Sequence, residues 1–263
     1  MPDASTGYFV RTDDHAFRPT ALTGGAWTPD EQHISPVIGL LTHEVERFAA
    51  ARGDDGMRTG RISVDILGVL TLDEFRVDVE VVRGGRTIEL LEATVTSRGR
   101  VAARARVWRM AAFDTAQVAG GAPEPLPDPD DLPSQDLTGV WPGGYIASLD
   151  FRPVGDPRPG RTTAWIGTGA AVVTGETVGP LAGFVALVDT ANGIAVRQSP
   201  AAWLFPNLDL TIHLHRTPEG PWVGLDTTVV FGADGLGLTS TVLHDRRGPV
   251  GRAAQTLTIR ARG

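Results

Sequence analysis

A stretch rich in proline and aspartate, AGGAPEPLPDPDDLPSQD (119–136), constrains this chain more than any other feature. Proline fixes φ and removes a backbone donor, so the segment cannot continue a helix or a central strand and reads as an extended connector. It lies near the midpoint of 263 residues. That length suits one large or two fused domains, and a break at the middle points to a duplication. The expected division is 1–118, a connector at 119–136, and 137–263.

Both halves repeat one order of elements. In the first, the apolar helical period of SPVIGLLTHEVERFAAA (35–51) precedes RISVDILGVL (61–70), FRVDVEVV (75–82), TIELLEATVTS (87–97) and VAARARVWRM (101–110). In the second, GPLAGFVALVDTANGIAV (179–196) precedes NLDLTIHLHR (207–216), WVGLDTTVVF (222–231), GLGLTSTVLHD (235–245) and VGRAAQTLTIR (250–260). The four later segments of each half are rich in Val, Thr and Leu and alternate in part, as half-buried antiparallel strands do. Turn signals such as SRG (97–99) and DRRGP (245–249) separate them. Further strands are expected at 8–14, 145–154 and 162–169. Superposing the first strand of each set puts Ser63 on Asp209, an offset of 146 (209 − 63), and superposing the last puts Arg106 on Gln255, an offset of 149 (255 − 106).

One long helix followed by a meander of antiparallel strands predicts an α+β fold, in which the helix buries its apolar stripe on the concave face of a curved sheet. That is the hotdog arrangement. Two hotdogs in one chain would pair their sheets edge to edge and so cover two strand edges.

Composition excludes several classes of function. The net charge is −7 and no basic run interleaves with aromatics, which argues against a nucleic-acid partner. The absence of cysteine removes disulfides, a thiol nucleophile and thiolate metal sites. The first residues lack the basic start and apolar core of a secretory signal, and no apolar run is long enough to span a membrane, so a cytoplasmic protein is expected.

The segment WTPDEQHISPVIGLL (27–41) resembles the W-x-P-x-x-Q-H-G-G-P-P lead into the central helix of thioesterase-like double-hotdog proteins. Residues 61–95 resemble the strands of the same N-terminal hotdog, and 207–260 those of the C-terminal hotdog of acyl-CoA thioesterase II (TesB-like) relatives. The resemblance implies hydrolysis of an acyl-CoA or acyl-carrier thioester, with no cofactor and no metal. It also implies a site in which an Asp, a Thr or Ser, and a Gln orient a water. Asp209 matches the family Asp and Gln255 the family Gln; Thr228 is the expected hydroxyl, with Thr227 as the alternative.

Each of those residues has a plainer reading. An Asp or Gln on a strand often only faces solvent or packs at a sheet edge, and Thr in DTTVV needs no function because Thr favours strands. Asp189, in LVDTANG on the second central helix, is a second candidate carboxylate; with Asn192 it equally suits a brace at the helix end. The helix beginning near Gly179 is expected to offer an oxyanion donor, with Gly183 a candidate. The first half has Ser63 and Arg106 at the matched positions, and Ile34-Ser35 where the relatives have a Gly pair, so a base is missing there even with Asp65 nearby. His213 and His215 alternate on one strand face but no further ligands stand at metal spacing. A non-catalytic acyl-thioester binding protein is the second reading, and a hydratase, which needs an Asp–His pair at the start of the helix, ranks last. A homo-oligomer is expected.

Overall fold

The computed structural model describes residues 7–25, 27–28, 30–53 and 56–263. The first half contributes strands β1 (Gly7–Asp13), β2 (Ala16–Pro19), β3 (Met57–Ile66), β4 (Phe75–Arg83), β5 (Ile88–Ser97) and β6 (Arg100–Ala111), with helix α1 (Ile34–Ala51). The second contributes β7 (Leu149–Pro153), β8 (Arg161–Thr168), β9 (Ala171–Val173), β10 (Trp203–Leu204), β11 (Asp209–Leu214), β12 (Val223–Phe231), β13 (Leu236–Asp245), β14 (Gly248–Thr258) and β15 (Arg260–Ala261). Its helices are α2 (Gly144–Ala147), α3 (Pro180–Val188) and α4 (Ala191–Ile194).

Thirteen strands form one sheet in the order β7-β8-β12-β13-β14-β11-β3-β6-β5-β4-β2-β1-β9. The halves meet where β3 pairs antiparallel with β11, from Arg61 opposite His213 to Asp65 opposite Asp209. Edge-to-edge pairing, expected to cover two exposed edges, is therefore realised. At the far end β9 of the second half returns to pair in parallel with β1 of the first. The architecture is α+β, a double hotdog.

The two central helices lie against each other under this sheet. Ile38, Leu41 and Val45 of α1 and Phe184, Val185 and Leu187 of α3 are buried, together with Ile62, Leu210 and Ile212 from the central strands. A Cβ on Gly39 would collide with the Ala186 side chain and lie 2.9 Å from its Cα, so glycine sets how closely the helices approach. No helix among the described residues is long and apolar enough to cross a membrane.

One sequence expectation needs correction here, and another gains a detail. The apolar run 179–196 is not one helix. It breaks at Asp189, the C-cap of α3, and resumes as the single turn α4, where Asn192 donates to the Phe205 carbonyl at 3.0 Å. The stretch 119–136 is extended but strapped onto the second half. Trp165 Nε1 donates to Pro127 O at 2.8 Å, Arg152 Nη1 to Pro129 O at 2.9 Å, and Arg246 Nη2 to Asp130 at 2.7 Å.

Candidate active site

Two side-chain amides, one from the segment before β11 and one from β14, meet on one buried carboxylate, Asp189. Asn207 Nδ2 donates to Asp189 Oδ1 at 2.7 Å and Gln255 Nε2 donates to the same oxygen at 2.8 Å. Asp189 is 5% exposed and Gln255 1% exposed. Burial raises the Asp189 carboxyl to about 6, and the two amide bonds pull the other way. Gln255 Oε1 is buried without a hydrogen-bond partner among the described residues. Such an atom is normally satisfied by water or a ligand.

The opposite wall comes from the first half. His33 caps α1: its Nδ1 accepts from the Ser35 amide at 3.2 Å and lies 3.9 Å from Asp189 Oδ2. Burial drops the His33 pKa to about 3, so the pair is not an ion pair at neutral pH despite its proximity. The His33 ring stacks on Tyr145 with centroids 4.2 Å apart, and the Tyr145 hydroxyl meets Thr190 Oγ1 at 2.7 Å. The lead-in loop is pinned by His33 N donating to Thr23 O at 2.7 Å and Gln32 N to Leu70 O at 2.8 Å. Ile34 N–H, the first amide of α1, has no acceptor among the described residues.

Asp189, Asn207, Gln32, His33, Ile34 and Thr190 line a cavity of about 390 Å³ whose other walls include Trp27, Leu70, Leu137, Trp141, Ile146 and Leu208; Gln255 and Tyr145 stand behind that lining. Trp27, Trp141 and Phe205 pack edge to face beside it, at 4.9 to 5.8 Å between centroids. A carboxylate with one oxygen held by two amides and the other turned toward an apolar cleft is arranged to take a proton from water.

The structure brings together Asp189 and Gln255 from the sequence candidates, and adds Asn207 and His33. It does not bring Asp209, Thr228, Thr227 or Gly183 to the cavity. Leu210 and Ile212 of β11 face the core, so strand alternation turns Asp209 outward, where its Oδ1 accepts from the Thr256 amide at 2.6 Å. Asn207 reaches the core side because the ladder gains one residue: Thr211 faces Ala254 but Asn207 faces Leu257. Thr228 is exposed on the outer face of β12, while Thr227 is buried and bonds Thr241 Oγ1 at 3.0 Å. The Gly183 amide is used inside its helix, on Gly179 O at 3.2 Å.

One other cluster has metal-ligand chemistry. His43, Glu44 and Glu176 offer ligand atoms within 4.8 Å of one another. Arg11 already bridges it, at 2.6 Å to Glu44 and 2.6 Å to Glu176. Burial opposes the Glu176 charge, yet the bonds from Arg11 and His43 hold its carboxyl at about 2, so an arginine supplies the cation of this network.

Comparison with known proteins agrees with this architecture. Residues 121–259 match the profile of the acyl-CoA thioesterase C-terminal domain, and residues 23–110 that of the acyl-CoA thioesterase N-terminal domain. No curated protein sequence matches the chain. Among solved structures it is similar to a proposed thioesterase from Novosphingobium aromaticivorans, at 21% identity and a TM-score of 0.72, covering 95% of this chain and 98% of that one. It is similar to a hot dog fold protein of unknown function from Alicyclobacillus acidocaldarius, at 12% identity and a TM-score of 0.74, covering 98% of each chain. It is also similar to the acyl-CoA thioesterase II TesB2 from Mycobacterium marinum, at 16% identity and a TM-score of 0.65, covering 97% of this chain and 96% of that one. At these identities the structural likenesses speak to the fold.

Proposed function

The chain belongs to the acyl-CoA thioesterase family and is a thioester hydrolase, and from that premise we propose that Asp189, held by Asn207 and Gln255, is the general base of its hydrolytic site. The observation that carries this reading is the convergence of both amides on one oxygen of a buried carboxylate that faces an apolar cavity.

A water between Asp189 and the thioester carbonyl gives its proton to Asp189 Oδ2 as its oxygen attacks the carbonyl carbon. Gln255 Oε1 accepts the second hydrogen of that water and fixes its direction, which lowers the entropic barrier. The negative charge that develops on the carbonyl oxygen meets the Ile34 amide at the start of α1, where the helix dipole adds to the hydrogen bond. The tetrahedral intermediate collapses by breaking the C–S bond, Asp189 returns its proton to the departing sulfur so that CoA leaves as the free thiol, and the acid product is released. The apolar walls from Trp27 to Leu208 take the acyl chain.

The two hotdog units are assigned to 1–118 and 137–263 with 119–136 as the connector, an assignment supported by the repeat of strand pairings between the halves. A homo-oligomer belongs to the same proposal. Val230 and Leu238 are paired on β12 and β13 and exposed by 59% and 47%, which gives a second copy an apolar face to cover.

The test is release of free thiol from a panel of acyl-CoAs, followed with a thiol reagent. The protein contains no cysteine, so the background is low. Release should be lost in Asp189→Asn and persist in Asp209→Asn. The opposite pattern would return the base to β11.

A further inference from the structure

The site in the second half has a counterpart in the first. Thr211 faces Ala254 between β11 and β14, and Ser63 faces Arg106 between β3 and β6; both partners shift by 148 (211 − 63 and 254 − 106). Beyond one extra residue in each ladder, Asn207 faces Leu257 and Thr59 faces Arg109, again 148 apart (207 − 59 and 257 − 109). The offsets of 146 and 149 read from sequence thus become one value, which puts Val107, not Arg106, at the place of Gln255 (255 − 107 = 148). Each central helix also carries a carboxyl toward the start of the other, at positions the repeat does not equate. Asp189 at the end of α3 approaches His33 at the start of α1, and Glu46 on α1 approaches Gly179, the N-cap of α3. A Cβ on Gly179 would lie 2.8 Å from Glu46 Oε2.

A cavity of about 530 Å³ opens at this counterpart, with Val45, Ala49, Ala50, Met57 and Leu181 among its walls. Glu46, Arg58, Thr59, Arg109 and Thr217 supply its polar side chains. Glu46 Oε2 is buried and takes no hydrogen bond among the described residues. Thr59 and Val107 offer no amide to hold a carboxylate oxygen, so the arrangement that orients water on Asp189 is absent here. Among the described residues, Arg109 from β6 acts on the Glu46 carboxyl and Arg58 from β3 lines the same cavity; Glu89 of β5 pairs with Arg109 at 2.8 Å and with Arg52 from the end of α1. Helix α3 has no charged residue. Burial raises the Glu46 carboxyl to about 7 against the pull of Arg109, so at neutral pH roughly half of it keeps its proton.

Two arginines, a carboxyl able to donate and an apolar cleft suit an anionic headgroup with a hydrocarbon tail. We propose that this cavity is a second, non-hydrolytic site that binds an aliphatic carboxylate, the product class of the first site, with protonated Glu46 donating to the ligand carboxylate beside Arg58 and Arg109.

Calorimetric titration of the full chain with decanoate tests this without any turnover, so its outcome is independent of which residue is the hydrolytic base. Affinity should fall about tenfold from pH 6 to pH 8 in the wild type and stay level in Glu46→Gln, whose amide donates at every pH. Thr59→Trp and Ala50→Phe fill the cavity from two different elements, and each should lower the number of decanoates bound by one against the wild type; Asp189→Asn should keep the binding that these variants remove. Affinity independent of pH in the wild type, an unchanged number of decanoates bound in both filling variants, loss in Asp189→Asn of the binding that the filling variants remove, or no binding of decanoate would each overturn the proposal.

Discussion

Asp189, with its pKa at about 6, is mostly ionised at pH 7.5 although burial opposes the charge. Its unfolded value is lower, near about 3.9, so between the two the folded state binds the proton more tightly. The stability this confers is fully present below the unfolded value and is lost as pH rises through about 6. Asp189→Asn should therefore be the more stable protein at pH 8, by about 1–3 kcal/mol, with the gap closing toward pH 4 in urea titrations. The same variant should lose about 10²–10⁴-fold in hydrolysis. In the wild type kcat/KM should rise with pH through a midpoint near 6. Asn207→Ala and Gln255→Ala each remove a bond that favours the ionised carboxylate, so both should move that midpoint upward as well as slow the reaction. A midpoint that stays in place would detach these amides from the base. At this scale the sequence exposed Gln255 and, as an alternative, Asp189. Asn207 was hidden because strict alternation gives no hint of an extra residue in a ladder. The signal lay in Leu208, an apolar residue that is 50% exposed in the fold because the irregularity turns it outward.

Among the elements, α1 was legible almost to the residue, since 35–51 was expected and Ile34–Ala51 is observed. Its apolar residues recur with a helical period even though every position from Ser35 to Val45 is buried in the fold, and periodicity is the strongest signal a sequence carries. The second helix was read too long for a related reason. The run 179–196 stays apolar across the break at Asp189, and hydrophobicity alone cannot separate a helix from the turn that continues its buried path. That break places the proposed base, since a residue at a C-cap stands at the helix end, where its side chain can reach Asn207 and Gln255. Gly39 is the tightest point of the helix pair, and Gly39→Leu should cost at least about 1–3 kcal/mol through overpacking, measured as a lower urea midpoint. A variant of wild-type stability would mean that the helices separate without cost.

For the whole molecule, the duplication and the edge-to-edge sheet were visible in the order of segments, while the return of β9 to β1 was not. That pairing joins residues remote in sequence and leaves only a short strand, Ala171–Val173, with no pattern of its own. With the sheet continuous and both helices in one core, heat or urea should unfold the chain in a single transition, with far-UV and tryptophan signals coincident. Separate transitions would show that the halves are independent. The pairing of β3 with β11 inside one polypeptide also has a genetic meaning. In an assembly of two identical chains every substitution appears twice, so neither copy of a pocket can change its chemistry alone. Here a codon change alters one side only. Asp189 approaches the start of α1 and Glu46 the start of α3, yet the two are encoded separately, so each can change while the scaffold they share stays the same.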